Sequence, residues 1–240
     1  MTRTTALHRS RHASVQLRRS SGASALRFAL LGRSELTLAC ADFPICLAKE
    51  SATGRFNLIA LLSLIEPRNL FWRDEQWHAT YLPEATTTAP FLLDTNGEYG
   101  LAIDEDNVTL NAGGTQLFGS DGQPTEAVGR ISARLKRITD DIADAQRMVD
   151  GFAQRKLIRP LQLVLQLSDR REHQIDGLYG LGTAALATLA ADSVVELYRT
   201  GDLAAAAIMN ASLAQIERLR QLHNASGTTP ITSARVTIEE

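Results

Sequence analysis

A chain of 240 residues with 44% hydrophobic and 22% charged side chains is long enough to bury a sizeable core, as one large domain or two small ones. The net charge of −2 is unevenly spread: residues 1–34 carry seven arginines (Arg3, Arg9, Arg11, Arg18, Arg19, Arg27, Arg33) and no Asp, Glu or Lys, which leaves −9 for the remainder. Nothing in that mildly acidic remainder reads as a nucleic-acid face, and the most apolar run, "FNLIALLSLI" at 56–65, is about half the roughly 20 residues of a membrane span.

In chain order, residues 1–25 are rich in Arg, Ser and Thr, with apolar residues scattered singly, and lack the continuous apolar run of a secretory signal. The composition reads as a disordered basic tail, and it also fits a transit peptide or an overlong start. The expected compartment is cytoplasmic, with surface association without a classical signal left open. Residues 26–222 are expected to form a single domain, sheet-rich over 35–120 and helix-rich over 125–222. Ser34 is placed to cap a short helix over 35–41. "PICLAK" and "RFNLIALLSL" read as strands. "NLFW" and "WHATYL" flank "RDEQ" as a hairpin with a four-residue turn, and "APFLLD" and "EYGLAID" flank "TNG" as another. Short connections make the pairing antiparallel.

The period changes after Thr125. Ile131, Leu135, Ile138, Ile142, Ala145, Val149 and Phe152 recur every three or four residues, which predicts a long amphipathic helix, with Arg134, Lys136, Arg137, Asp140, Asp141 and Asp144 on its far side. "LQLVLQL" and "HQIDGLYG" read as paired strands that join the first sheet. A helix over 183–199, a Gly201 cap and a helix from Asp202 to about Leu222 predict a helical hairpin. Residues 223–240 read as a flexible tail. The fold class is therefore α+β, a largely antiparallel sheet followed by a long helix and a helical hairpin.

Chemistry-bearing motifs are sparse. Cys40 and Cys46 have no zinc or disulfide spacing and read as buried free thiols. "DTNGE" at 94–98 and "DEDN" at 104–107 cluster carboxylates, but no bidentate acid completes a calcium loop, and these are ordinary turn residues. "NAGGTQLFGSDGQP" reads as two successive turns rather than a phosphate loop. No nucleophile elbow or paired-histidine motif occurs, so no catalytic residue, metal or cofactor is assigned. The one dense feature is "LFWRDEQWHATYLP" at 70–83. It offers Trp72, Trp77, His78 and Tyr81 as lining for an aromatic ligand site. Strand alternation places Trp77, Ala79 and Tyr81 on one face and His78, Thr80 and Leu82 on the other.

The order of segments resembles the bacterial SapC-like family. "ELTLACADFPICLA" (35–48), "ALLSLIEPRNLFW" (60–72), "W…YLP…PFLL", "LAIDED", "LFGSDGQPT", "GLYGLG" and "LYRTGDL…SLAQIERL" are similar to its blocks over about 27–222. Glu35, Pro44, Asn69, Leu70, Phe71, Pro83, Pro90 and Phe91 match the pattern, as do Trp77 and Tyr81. Leu36 and Thr37 replace a Phe-Pro, Ser63 replaces a Gly, and "TTTAPF" replaces an Arg-Arg-Tyr-Pro-Phe motif. The family is named after a surface-layer protein. The resemblance implies a non-enzymatic accessory or binding protein, tied to the cell surface or to amino-acid or peptide uptake, with a protein partner or a small ligand. The alternative is an enzyme or enzyme subunit that modifies an amino acid or peptide, with its pocket around Trp72, Trp77 and Tyr81.

Overall fold

The structure, a computed structural model, describes residues 3–17, 25–94, 96–107, 110, 114–226 and 229–239. The elements in chain order are β1 (Thr4–Ala6), α1 (Arg9–His12), β2 (Gln16–Leu17), β3 (Phe28–Leu30), α2 (Leu36–Ala39), β4 (Ile45–Lys49), β5 (Phe56–Leu61), β6 (Trp72–Arg73), β7 (Gln76–Trp77), β8 (Phe91–Leu93), β9 (Leu101–Asp104), β10 (Thr115–Gln116), α3 (Glu126–Gln154), β11 (Ile158–Leu167), β12 (Glu172–Leu181), α4 (Thr183–Ala187), α5 (Ala191–Thr200), α6 (Asp202–Ser212), α7 (Ile216–Asn224) and β13 (Ile231–Ile238). Helices and antiparallel strands coexist, as an α+β fold requires. They fall into two compact units: Met1–Ser24 with Glu84–Asp140, and Ala25–Pro83 with Asp141–Glu240.

The first unit holds a three-stranded sheet, β1-β9-β8, and the β2–β10 pair. Its core is Leu7, Phe91, Leu101, Ile103, Leu117, Phe118, Val128 and Leu135. This differs from a disordered tail over 1–25. Thr4, Thr5 and Ala6 pair with Asp104, Ile103 and Ala102, and Leu7 is fully buried. One well-placed leucine and a strand edge outweigh the polar composition, and Glu105 compensates the charge of Arg3 and Arg11. Residues 18–24 lie outside the described residues.

The second unit is built on a six-stranded antiparallel sheet, β13-β11-β12-β4-β5-β3. In β11, Leu161, Leu163, Leu165 and Leu167 are buried while the residues between are more exposed, the period-2 pattern of a sheet with one wet face. The expected junction between the two hairpins is β12 on β4, with Leu178 opposite Ala48 and Tyr179 opposite Leu47. Helix α6 packs on β12 and β4, and α7 on β13. The stripe of α3 supplies Val128 and Leu135 to the first core, then Ala145, Met148, Val149 and Phe152 to the second.

Several boundaries differ from expectation. The chain forms two units rather than a single domain over 26–222, because the strands of 35–118 divide among separate sheets. The flexible tail over 223–240 is replaced by α7 ending at Asn224 and by β13, which pairs along β11 from Ile231 to Ile238. The helix over 183–199 is two helices. The Thr188 hydroxyl bonds back to the carbonyls of Ala184 and Ala185 and ends α4, and Asp192 sits in the first turn of α5. Gly201 caps α5 at φ +78°, as read from the sequence. Ser34 does not cap its helix: its amide and hydroxyl donate to Asp141, while Glu35 accepts from the Gly32 amide at 2.7 Å. The first turn expected in "NAGGTQLFGSDGQP" falls largely outside the described residues, and the second closes with Gly119 N–H donating to Gln123.

Candidate functional site

The aromatic stretch lies in the second unit. β6 and β7 form a hairpin in which Trp72 faces Trp77 and Arg73 faces Gln76. The turn is two residues, Asp74 and Glu75, at φ +50° and +58°, not the four of "RDEQ". Positive φ at both central positions matches the right-handed strand twist in a type I′ turn. Alternation holds beyond the strand: Trp77, Ala79 and Tyr81 pack on the core, while His78, Thr80 and Leu82 are exposed. Trp77 tilts against Phe43 and Phe71, with ring centroids 6.1 and 6.0 Å apart, and Phe43 meets Phe71 edge-on at 4.7 Å. Trp72 is half-buried, and His78 Nε2 lies 3.2 Å from the Arg73 carbonyl. His78 thus stands on the opposite side of the chain from Trp77 and Tyr81.

Trp77 and Tyr81 have committed their polar atoms inside the unit. Trp77 Nε1 donates to the Tyr81 carbonyl at 2.8 Å, Tyr81 N–H to Asp42 at 2.8 Å, and the Tyr81 hydroxyl to Glu35 at 2.7 Å. Glu35 and Asp42 are both buried, at 4% and 1% exposure. Arg218 pairs with Asp42, and its guanidinium carbon lies 5.4 Å from the centroid of the Phe71 ring. Buried carboxylates need such partners, because leaving water is costly unless each charge is met. Two acids therefore grip Tyr81 by backbone and by side chain. The buried Asn69 side chain accepts from the Phe71 amide at 3.0 Å, and the Pro44 carbonyl accepts from Leu61. Asp42 and Arg218 were missed in the sequence, since nothing in the spacing of 42 and 218 announces an ion pair. Pro83 is buried at the end of this segment, and Leu70 and Phe71 are core. Pro90 and Phe91 belong to the first unit, where Phe91 is core.

Two of the cavities among the described residues lie in the first unit. One, of about 260 Å³, is lined by Arg3, Arg11, His12, Val15, Glu105 and Leu110. Glu105 accepts from Arg3 Nε at 2.6 Å, Arg11 at 2.7 Å, His12 Nε2 at 3.1 Å and Thr5 Oγ1 at 3.0 Å. Burial alone pushes this carboxyl up, but the hydrogen bonds from Arg3, Arg11, His12 and Thr5 outweigh it and bring it down to about 2. His12 Nδ1 lies 3.0 Å from the His8 amide and 3.1 Å from the His8 carbonyl, and Nε2 faces Glu105. The carboxylate of the "DEDN" turn is thus the anchor of the N-terminal segment. Among the described residues no group of three or more His, Cys, Asp or Glu is placed to hold a metal ion.

The other cavity, of about 460 Å³, is lined by Leu17, Thr87, Thr88, Thr115, Ala127, Arg130, Ile131 and Arg134. Helix α3 contributes a whole stripe: 127, 130, 131 and 134 follow the i, i+3, i+4, i+7 spacing of one helical face. Leu17 and Thr115 are opposite partners in the β2–β10 pair. Arg130 reaches Glu126 at 2.9 Å, with both side chains largely exposed, whereas no hydrogen bond or ion pair holds Arg134 among the described residues. Two arginines at i, i+4 repel, by about 0.2–0.5 kcal/mol on a helix surface. The result is an apolar floor under two cations, with three hydroxyls on the other walls. Sequence reading placed Arg134 on an outward face. The signal for more was the like-charge pair flanking Ile131, whose meaning depends on the long-range placement of Thr87, Thr88 and Thr115. "TTTAPF", the departure from the family pattern, forms part of this wall.

The model of the SapC family matches residues 7–219, so the chain belongs to that family. The match begins at Leu7, within the segment that seals the first core. No curated protein and no solved structure matches the chain. Among the described residues, no helix is long and apolar enough to cross a membrane.

Proposed function

We propose that this SapC-family chain is a non-enzymatic binding or accessory protein that takes a small ligand of the amino-acid or peptide class in the first unit, in a role at the cell surface or in uptake. The observation that carries this reading is the cavity of about 460 Å³ formed by α3, β2, β10 and residues 87–88. Its volume lies within the roughly 300–1,000 Å³ of small-molecule sites, and its lining joins three apolar residues, Leu17, Ala127 and Ile131, to three threonines and two arginines that offer polar contacts. The aromatic hairpin supports the reading from the other side: Trp77 and Tyr81 spend their donors on their own unit.

The test is a thermal-shift screen of the full chain against the standard amino acids, short apolar dipeptides, acetate and inorganic phosphate, repeated on Arg134→Ala. A ligand that binds only the folded state stabilises it in proportion to the logarithm of its concentration over Kd, about 2.7 kcal/mol at a hundredfold excess. A stabilising amino acid or dipeptide whose effect is reduced in Arg134→Ala is expected. Stabilisation undiminished in Arg134→Ala, or silence across the whole panel, rejects this cavity as the site.

A further inference from the structure

The hydrogen bonds around the larger cavity assign a polarity to it. Thr87 Oγ1 donates its proton to the Glu84 carbonyl at 2.6 Å, and Thr88 Oγ1 donates to the Ala85 carbonyl at 3.1 Å. A hydroxyl carries one proton and two lone pairs, so each of these oxygens, its proton committed, meets a ligand as an acceptor. The α3 wall is the reverse. Arg130 and Arg134 carry only donors and positive charge, and Arg134 has no anionic partner among the described residues. The rest of the lining is Leu17, Thr115 and, on α3 itself, Ala127 and Ile131.

We infer that this cavity recognises a free, zwitterionic amino acid with an apolar side chain: the α-carboxylate on the Arg130–Arg134 stripe, the α-ammonium on Thr87 and Thr88, and the side chain over Leu17, Ala127 and Ile131. This rests on the reading of the cavity as the ligand site and adds which end of the ligand goes where. The guanidinium fork of Arg134 matches a carboxylate in two parallel hydrogen bonds. An ammonium needs acceptors, and acceptors are what the two threonines present. The carboxylate also removes the repulsion between two arginines one turn apart. A plain anion satisfies only one wall, and a plain amine only the other.

The test is titration calorimetry of the full chain with L-leucine, leucinamide and N-acetyl-leucine, on wild type, Arg134→Gln and the double variant Thr87→Val/Thr88→Val. Leucine is expected to bind wild type at least tenfold more tightly than either derivative. Arg134→Gln is expected to erase the preference over the amide, and the threonine variant the preference over the N-acetyl form, each leaving the other preference in place. Circular dichroism checks that each variant is folded. Equal affinity for leucine and both derivatives overturns the assigned polarity while leaving the cavity a binding site. Binding of acetate or phosphate as tight as that of leucine overturns the zwitterion in favour of a plain anion. If none of these probes, acetate and phosphate included, binds wild type, the site itself fails.

Discussion

Single side chains separate anchoring contacts from surface ones. The Tyr81 hydroxyl is bonded to Glu35, a carboxylate at 4% exposure. Hydrogen bonds to buried charged groups contribute about 1.5–3 kcal/mol, so Tyr81→Phe is expected to lower stability by that order in urea unfolding. A loss below about 0.5 kcal/mol would show that the bond does not hold the segment. Arg218→Met strands Asp42, at 1% exposure, and should cost about 3 kcal/mol or more. Arg130→Ala, whose partner Glu126 is largely exposed, should cost well under about 1 kcal/mol in the same assay. Gly32 shows why a small residue is needed near this network: a Cβ there would sit 2.0 Å from a carboxylate oxygen of Asp141, which Ser34 already holds by two hydrogen bonds. Glu105 gives the pH signature. Its carboxyl falls from an ordinary 4.5 to about 2 on folding, so its contribution is complete above about 4.5 and is lost as pH falls through 2. The protection of residues 3–17, referenced to the intrinsic exchange rate at each pH, should therefore fall as the pH is lowered through that window. In Glu105→Gln the same segment should exchange faster already at neutral pH, with a flatter pH response. Identical pH profiles for the two proteins would contradict the anchoring role.

Elements were legible where the side-chain period was local. The strands at β4, β5, β11 and β12 and the helix α3 follow from alternation or from a 3.6-residue stripe. The β6–β7 turn is shorter than its sequence suggests, because Asp-Glu lacks the Asn or Gly that signals positive φ. Its register instead comes from Trp72 facing Trp77 and from the attachment of residues 77–81 to the core. This makes the turn a place to gain stability. Replacing Asp74–Glu75 with Asn-Gly relieves two left-handed non-glycine residues, and a gain of about 0.5–1 kcal/mol is expected, read as a higher midpoint of thermal unfolding. No gain, or a loss, would mean that Asp74 or Glu75 makes a contact that offsets its backbone strain. β13 was missed for a different reason. Ala234, Val236 and Ile238 do alternate, but they lie in a short polar run whose partner, β11, is some seventy residues upstream. A period-2 signal of three residues reads as strand only once its neighbour is known.

At the scale of the whole molecule, the α+β class and the family were readable, while the division into two units was not, because it depends on which strands share a sheet. The N-terminal segment is the clearest case. Composition marks residues 1–25 as a tail, yet Leu7 is fully buried and the family match begins there. Leu7→Ala should then cost about 2–5 kcal/mol, the range for a core leucine. A change within about 0.5 kcal/mol, as for a surface position, would restore the tail. The candidate site divides in the same way: Trp72, Trp77, His78 and Tyr81 were visible as a dense run, whereas Arg130, Arg134, Thr87 and Thr88 meet only in the folded unit. The most direct test of which is the binding surface is hydrogen–deuterium exchange of the full chain with and without saturating L-leucine. Slower exchange confined to residues 127–134, 87–88 and 115–116 is predicted, with residues 72–81 unchanged. Protection centred on 72–81, or none at either place, would contradict the account.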